Sequence, residues 1–194
     1  QESRGLGDVY KRQHKMRLAY KGFNKDLTCT MGNGTFQYKP GVWYKEEKAH
    51  CARAGFHATD NPLDVLGYYR EGRYFIVALK GNVDEDGHDT RIAAPEIQLV
   101  KELSRIELAR EGVMWIANHP HIEIEGVKKN TGTALDDYVI VRGKNPTAKG
   151  KMGSTIFLLK ENKSGEIAEC AEYLIDGEEY LPDTFYDVRG RMRQ

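Results

Sequence analysis

The sequence has no excess of charge of either sign, because Lys plus Arg and Asp plus Glu each number 29 in a chain of 194 residues. Without a net positive charge there is no broad basic surface of the kind that nucleic-acid-binding domains use. Long apolar runs are also missing, since none approaches the roughly 18 residues that span a bilayer, and no secretion signal is present. We therefore expect neither a nucleic acid nor a membrane as a partner, and a cytoplasmic location.

Cysteine is scarce, with Cys29, Cys51 and Cys170 as the three in the chain and no CxxC pair among them. An odd number of widely spaced cysteines does not form a disulfide framework. We expect reduced thiols, buried or carried on strands, as in a protein of a reducing compartment.

Patterns that bind metal ions are incomplete. The acidic loop at residues 84–89 lacks the closing glutamate and the alternating ligands of an EF-hand. His119 and His121 stand two residues apart, but no third ligand follows at a useful spacing. We predict no metal site.

The length allows one domain with a small addition. Residues 1–15 have no apolar period and resemble a translated sequencing-adapter tail, so we predict a disordered leader that is foreign to the fold. Up to about residue 126, stretches in which apolar and polar residues alternate, as in strands, are mixed with two helical stretches. Beyond residue 126 the chain is rich in glycine and has the pattern of β-strands. We predict an α+β domain over residues 16–126, mostly antiparallel, and a β-rich C-terminal segment over residues 127–194.

Two helices are expected. Asn61 can cap the first, with proline at the next position, and that helix should run to about Tyr69. The second should begin at Ser104, where Glu107 completes a capping box, and should run to Glu111, with an irregular continuation possible.

Hairpin signals occur twice. Aromatic-rich stretches at residues 36–38 and 42–44 flank Lys39-Pro40-Gly41, a combination that predicts a turn between paired strands. Asp176-Gly177 predicts a second hairpin turn between strands at 167–175 and 178–181. Small residues after position 130 also hint at one or two coils of a β-roll.

Residues 55–69 are the most informative stretch. They predict a turn that leads into a short helix, with aromatic and polar groups on one side, which suits a cleft for a flat ligand. His57 can stack on such a ligand or only cap the turn. Tyr68 and Tyr69 are neighbours, so we expect one to face inward and one outward, and Tyr68 serves either for stacking or for core packing. Lys21 serves either as a ligand contact or as a solvated side chain.

Residues 20–29, 36–38 and 55–66, together with Tyr68-Tyr69, resemble an uncharacterised domain found in bacteria and their phages. The resemblance covers about residues 16–105. It implies a phage or prophage origin and no known activity.

A second resemblance is to ADP-ribosyltransferases of the diphtheria-toxin type. Residues 55–61 with Tyr68 resemble the motif whose two aromatics sandwich nicotinamide, with His57 in place of the first aromatic. Tyr20-Lys21-Gly22 resembles the family's opening Tyr-His-Gly strand, with Lys21 replacing the histidine that holds the adenine ribose. The resemblance implies a split-sheet fold, NAD as cofactor, and a ligand site formed by Tyr20, Lys21, His57, Thr59 and Tyr68.

The family's catalytic glutamate has no clear counterpart, and Glu123 and Glu125 are the candidates. Transfer from NAD passes through an oxocarbenium-like state, so a carboxylate near the ribose is required. We therefore expect a phage-type accessory protein with a nucleotide-binding module. The alternatives are an active mono-ADP-ribosyltransferase and a structural or assembly protein that forms homo-oligomers through its strand edges.

Overall fold

The computed structural model describes residues 16–30, 34–46, 55–85 and 90–193. It divides into two compact units, Gln1–Ser104 and Arg105–Gln194. The sequence placed the division near residue 126, so the structure differs by assigning the second helix to the C-terminal unit. The predicted leader at residues 1–15 lies outside the described residues.

The first unit contains nine described strands. They are β1 (Arg17–Phe23), β2 (Thr28–Cys29), β3 (Phe36–Gln37), β4 (Trp43–Lys45), β5 (Phe56–Thr59), β6 (Arg73–Lys80), β7 (Asp84–Glu85), β8 (Arg91–Ala94) and β9 (Glu96–Leu103). Seven form one sheet in the order β4-β9-β6-β1-β5-β8-β7, and β2 pairs with β3 in a separate two-stranded sheet. Every pair in this unit is antiparallel. The predicted α+β class with mostly antiparallel strands is confirmed.

The aromatic hairpin predicted around Lys39-Pro40-Gly41 is wrong. β3 pairs with β2, whereas β4 pairs with β9 at the edge of the large sheet. The Gly41 backbone has a φ of 77°, and its N–H donates to Leu99 O at 3.0 Å. This glycine conformation and its bond to β9 direct the chain onto the sheet edge instead of back along β3.

The first helix begins where the sequence predicted it. The Asn61 side chain accepts the Leu63 N–H at 3.1 Å and caps a 3-10 helix, Pro62–Asp64, which continues into α1, Val65–Tyr68. The helix stops after one α-helical turn because Tyr69 leaves the helical conformation, with a φ of −134° and a ψ of 80°. The Tyr74 hydroxyl lies 2.8 and 2.9 Å from the carbonyl oxygens of Tyr69 and Arg70 and shares its proton between them. These bonds take the chain from the helix into β6.

One face of the large sheet carries the core of the first unit. The buried apolar side chains include Ala19, Phe23, Phe56, Ala58, Phe75, Val77, Ile92, Ile97 and Leu99. β1 pairs with β6 at seven positions but with β5 only at Tyr20 and Thr59. β1 and β5 are therefore neighbours in the continuous seven-stranded sheet that share one registered pair.

The second unit begins with the helix α2 (Arg105–Asn118) and continues with six described strands. These are β10 (Lys128–Ala134), β11 (Tyr138–Gly150), β12 (Thr155–Glu161), β13 (Ile167–Leu174), β14 (Phe185–Asp187) and β15 (Met192–Arg193). α2 contacts β11, β12 and β13, and its buried residues include Leu108, Val113 and Ile116. This packing explains why the helix belongs to the second unit and why it passes the expected end near Glu111.

Parallel pairing links the first three strands of the second unit. β10, β11 and β12 are parallel to one another, with a shift in register between Lys129 and Thr131. β13, β14 and β15 complete the six-stranded sheet in antiparallel pairing. The strand predicted at 178–181 is absent from this described region, because the Asp176 carboxylate accepts the N–H groups of residues 178, 179 and 180 and holds a tight turn.

Candidate functional site

Lys21 occupies an unusual position for a lysine. Its side chain lies on the core face of β1, with the residue only 7% exposed, and its Nζ donates to His57 O at 2.5 Å. Nζ also lies 5.6 and 5.8 Å from the ring centres of Phe23 and Tyr38. Among the described residues no carboxylate forms an ion pair with it. Burial lowers the pKa of Lys21, and the neighbouring Cys29 thiol acts in the opposite direction.

Cys29 and Tyr69 stand beside this lysine. The Tyr69 hydroxyl lies 2.9 Å from the Cys29 Sγ and accepts the Thr30 N–H at 3.3 Å. The Tyr69 ring packs directly on Gly22, where an added Cβ would meet ring atom Cδ2 at 2.9 Å. Since Gly22 follows Lys21 in β1, the glycine allows the Tyr69 ring to approach the strand and brings its hydroxyl to the thiol.

Four aromatic rings form the other wall of the site. Each ring contacts the other three, with centroid distances from 4.6 to 6.4 Å and mostly edge-to-face geometry. The four residues are Phe36, Tyr38, Tyr44 and Phe56. Tyr38 is buried, and burial raises the pKa of its hydroxyl. Phe36 is 39% exposed, so the cluster is open to solvent on its side. We refer to these four residues as the ring cluster.

His57 is half-buried on β5, and its backbone carbonyl accepts the bond from Lys21 Nζ. Burial lowers the pKa of His57, and the charges of Lys21 and Arg91 lower it further, whereas Glu46 acts in the opposite direction. The Glu46 carboxylate also accepts the Gly55 N–H at 2.9 Å. Among the described carboxylates of the first unit, Glu46 is the one whose charge acts on His57. At neutral pH the imidazole is therefore held in its neutral form.

The other predicted ligand residues of the first unit, Tyr20, Thr59 and Tyr68, differ in how far they are exposed to solvent. Thr59 is buried, and its hydroxyl contacts Asn61 O at 2.9 Å and Tyr20 O at 3.4 Å, so it fixes the backbone next to the β1–β5 pair. Tyr20 is half-buried in β1. Of the two neighbouring tyrosines, Tyr69 is the buried one and Tyr68 is 39% exposed. The structure therefore brings together Lys21 and His57, with Tyr20 and Thr59 beside them.

Glu123 and Glu125 lie in the second unit, in the turn-rich segment between α2 and β10. Both are exposed, and Glu123 forms an ion pair with Lys129 at 2.5 Å. Glu123 lines a cleft of about 500 Å³ together with Lys129, Arg142 and Glu161. The Arg142 guanidinium donates to Glu161 at 2.6 Å and to Pro120 O at 2.6 Å, so it holds the walls of this cleft together.

Sequence reasoning missed Cys29, Tyr69 and Glu46 as members of the site. The sequence left open which of the two adjacent tyrosines turns inward. Cys29 and Glu46 become neighbours of Lys21 and His57 only when β2 and β4 pack onto the unit. A usable signal was the small residue Gly22 after Lys21, because a glycine in a strand often marks close approach of another group.

The cysteine and histidine side chains that the sequence singled out form no shared disulfide or metal site within the described ranges. Among the residues that the structure describes, no three of His, Cys, Asp and Glu gather as a metal site. Cys29 and Cys170 carry free thiols, and Cys51 lies outside the described residues. His119 stacks on Trp115 at 4.0 Å instead of turning toward His121. No helix in the described ranges is both long and apolar enough to cross a bilayer.

The comparisons with known proteins concern mainly the first unit. Residues 17–111 match the model of a family described as a domain of unknown function (DUF7666). The match extends from β1 through β9 into the start of α2, and it fits the predicted resemblance to an uncharacterised domain. Searches of curated proteins and of solved structures gave no match.

Proposed function

We propose that the first unit is a binding module for a nucleotide or a related flat, anionic small molecule, similar in construction to ADP-ribosyltransferases but without strong catalysis. The observation that carries the proposal is a ring cluster that is open at Phe36 and adjoins the buried amine of Lys21. A planar base finds ring faces and edges for offset contacts. An anionic group supplies the negative charge that the described carboxylates do not give to Lys21.

The junction between β1 and β5 supports the same proposal. These strands share a single registered pair, Tyr20 with Thr59, beside which Lys21 and His57 lie. A ligand that enters a sheet needs a place where the ladder of backbone hydrogen bonds is interrupted. A junction with a single registered pair is compatible with the split-sheet architecture of the proposed module.

An NAD-consuming transferase is the weaker candidate on the same geometry. The chemistry needs a carboxylate beside the ribose, but Glu123 is paired with Lys129 within the second unit. Lys21, which replaces the ribose-binding histidine of the toxins, is buried and bonded to a carbonyl group. These residues do not fit the transferase set, so we derive no catalytic step from NAD. If transfer occurs, Glu46 becomes the carboxylate to test, because its charge acts on His57.

We place the module in an accessory protein of phage or prophage origin, on the resemblance of residues 20–29 and 55–66. In that setting, capture of a host nucleotide signal would suit a module that binds without turnover. This step rests on analogy at the level of the fold.

The experiment is a thermal-shift screen of the full chain with NAD, ADP-ribose and cyclic nucleotides. A ligand at a hundredfold excess over its Kd stabilises the folded state by about 2.7 kcal/mol. We expect Phe36→Ala to remove the shift. Trp43→Ala is the matched control, because Trp43 is 36% exposed against 39% for Phe36, but it lies outside the ring cluster and stacks with Lys80.

Other outcomes assign the alternatives. If Tyr68→Ala removes the ligand-induced thermal shift and Phe36→Ala does not, the ligand stacks on Tyr68, the tyrosine that the sequence predicted. NAD consumption that is abolished by Glu46→Gln, Glu123→Ala or Glu125→Ala establishes a transferase. No shift with any nucleotide, together with a defined oligomer in light scattering, contradicts the proposal and supports an assembly protein.

A further inference from the structure

The cleft of the second unit is a concave surface that the proposed nucleotide module does not use. Its volume of about 500 Å³ is that of a small-molecule site. Branched apolar side chains form part of its lining, namely Ile116, Ile122, Ile124 and Val127. Ile122 is 47% exposed, so the cleft offers apolar surface that a ligand can cover.

Arg142 brings hydrogen-bond donors to this cleft. Its side chain is 13% exposed, and its Nε and Nη2 atoms donate to Glu161 and to Pro120 O. A guanidinium also carries N–H groups on Nη1. Within the described part of the chain these donate to no acceptor, and Nη1 is not sealed from solvent. Arg142 is therefore fixed by its neighbours and can still donate to a ligand.

A β-bulge sets a second cation beside the cleft. The register of β10 on β11 shifts between Lys129 and Thr131, and Asn130 has a left-handed φ of 65°. Gly143 permits this close approach, because an added Cβ there would lie 2.5 Å from Asn130 Oδ1. Bulges re-aim side chains and are frequent next to functional sites. Here both Lys129 and Asn130 line the cleft.

The Glu123 carboxylate shows where these cations hold an anion. It pairs with Lys129 at 2.5 Å, and the hydrogen bond from Lys129, together with the charge of Arg142, lowers the pKa of Glu123. The pair is largely exposed, at 84% for the Glu123 side chain and 72% for that of Lys129. Because exposed ion pairs contribute little to stability, a carboxylate from a ligand can take the place of Glu123.

We propose that this cleft binds a small organic carboxylate with a branched apolar tail. The carboxylate accepts from Arg142 Nη1 and replaces Glu123 on Lys129, and the tail contacts the isoleucine and valine side chains. A monoanion suits the cleft better than a phosphate dianion, because Glu123 and Glu161 already bring two negative charges to the two cations. The proposal concerns the second unit and does not rest on the function proposed for the first.

Isovalerate and its uncharged analogue isovaleramide test the proposal on the full chain. NMR follows the methyl signals of Ile122, Ile124 and Val127 while each compound is added. We expect isovalerate to shift these signals to saturation. Isovaleramide should bind about tenfold more weakly, because it keeps the tail but lacks the charge that strengthens hydrogen bonds from Arg142 and Lys129.

Two exposed positions give variants of opposite sign. Glu123→Gln removes the competing carboxylate, so we expect it to bind isovalerate about threefold more tightly. Lys129→Gln removes a cation and should weaken binding by about the same factor. Glu169→Gln is the matched control, because Glu169 pairs with Lys160 in the same unit but is not part of the cleft lining, and its Kd should equal that of the wild type.

Three results overturn the proposal. The first is equal binding of isovalerate and isovaleramide, and the second is the absence of a saturable shift at the cleft methyl groups. The third is unchanged or weaker binding in Glu123→Gln, because removing a competitor must favour the ligand. The nucleotide screen reports on Phe36 in the first unit, so failure of either proposal is distinguishable from failure of the other.

Discussion

The Tyr69 ring packs against Gly22 in the candidate site, and Gly22→Ala is the sharpest test of this packing. A Cβ at this position would lie 2.9 Å from Tyr69 Cδ2, 3.0 Å from its Cβ and 3.2 Å from its Cγ. The ring must retreat by about 0.5 Å for ordinary contact to be restored. It is buried at 9% exposure and bonded at its hydroxyl to Cys29 and Thr30, so it cannot retreat without breaking contacts.

The magnitude follows from two opposing effects. Overpacking of a filled interior costs about 1–3 kcal/mol. Replacing glycine by alanine also restricts the unfolded chain, which stabilises the protein by about 0.4–1 kcal/mol. We therefore expect Gly22→Ala to lower the free energy of unfolding of the first unit by about 1–2 kcal/mol. Gly67→Ala is the control, because nothing lies within 4 Å of its added Cβ and it stands in α1.

Urea unfolding measures the change in the free energy of unfolding. Tryptophan fluorescence monitors the transition in chains that also carry Trp115→Phe. Trp43 is then the only tryptophan and reports on the first unit alone. Hydrogen exchange at the Thr30 amide gives a local readout, since this N–H donates to the Tyr69 hydroxyl. Equal stability of Gly22→Ala and Gly67→Ala, with unchanged exchange at Thr30, refutes the packing of Tyr69 on β1 and removes its hydroxyl from the site.

Two further predictions concern the dependence of stability on pH. Because the pKa of Lys21 is lowered in the folded state, the wild type should gain stability relative to Lys21→Met as the pH rises through that lowered pKa toward the ordinary value of 10.5. A constant difference in urea unfolding up to that pH contradicts a buried amine. In the second unit, burial raises the pKa of Asp187, but hydrogen bonds from Arg191, Arg193 and Arg189 lower it to about 2. Asp187→Asn should therefore cost roughly 2 kcal/mol at pH 7, and the difference should disappear as the pH falls from about 4 to 2. A loss that is independent of pH would indicate a packing defect instead of a missing charge.

The sequence by itself determined the local features of the chain. The N-cap at Asn61 was readable because a short polar side chain can satisfy the first amides of a helix, whatever the rest of the protein does. The strands at 138–142, 155–160 and 167–175 were readable from their alternation and their β-branched or aromatic residues. Each of these depends on residues that are close together in the chain.

Strand pairing was decided by tertiary structure. The residues around Pro40 favour a turn, but which strand accepts β4 depends on the edge that β9 offers, far along the chain. The boundary between the units was decided in the same way, because α2 packs on β11–β13 while composition changes only after it. Local patterns do not contain these long-range contacts.

The candidate site shows the same division. Lys21 and His57 were selected from the sequence because the segments around them resemble two motifs of the diphtheria-toxin-type transferases. A lysine after an aromatic residue gave no sign of burial. The structure alone determined that Lys21 faces the core, that Tyr69 and not Tyr68 turns inward, and that Cys29 meets both. The physical reason is that burial and charge pairing depend on neighbours supplied by several strands, and only the folded chain brings those neighbours together.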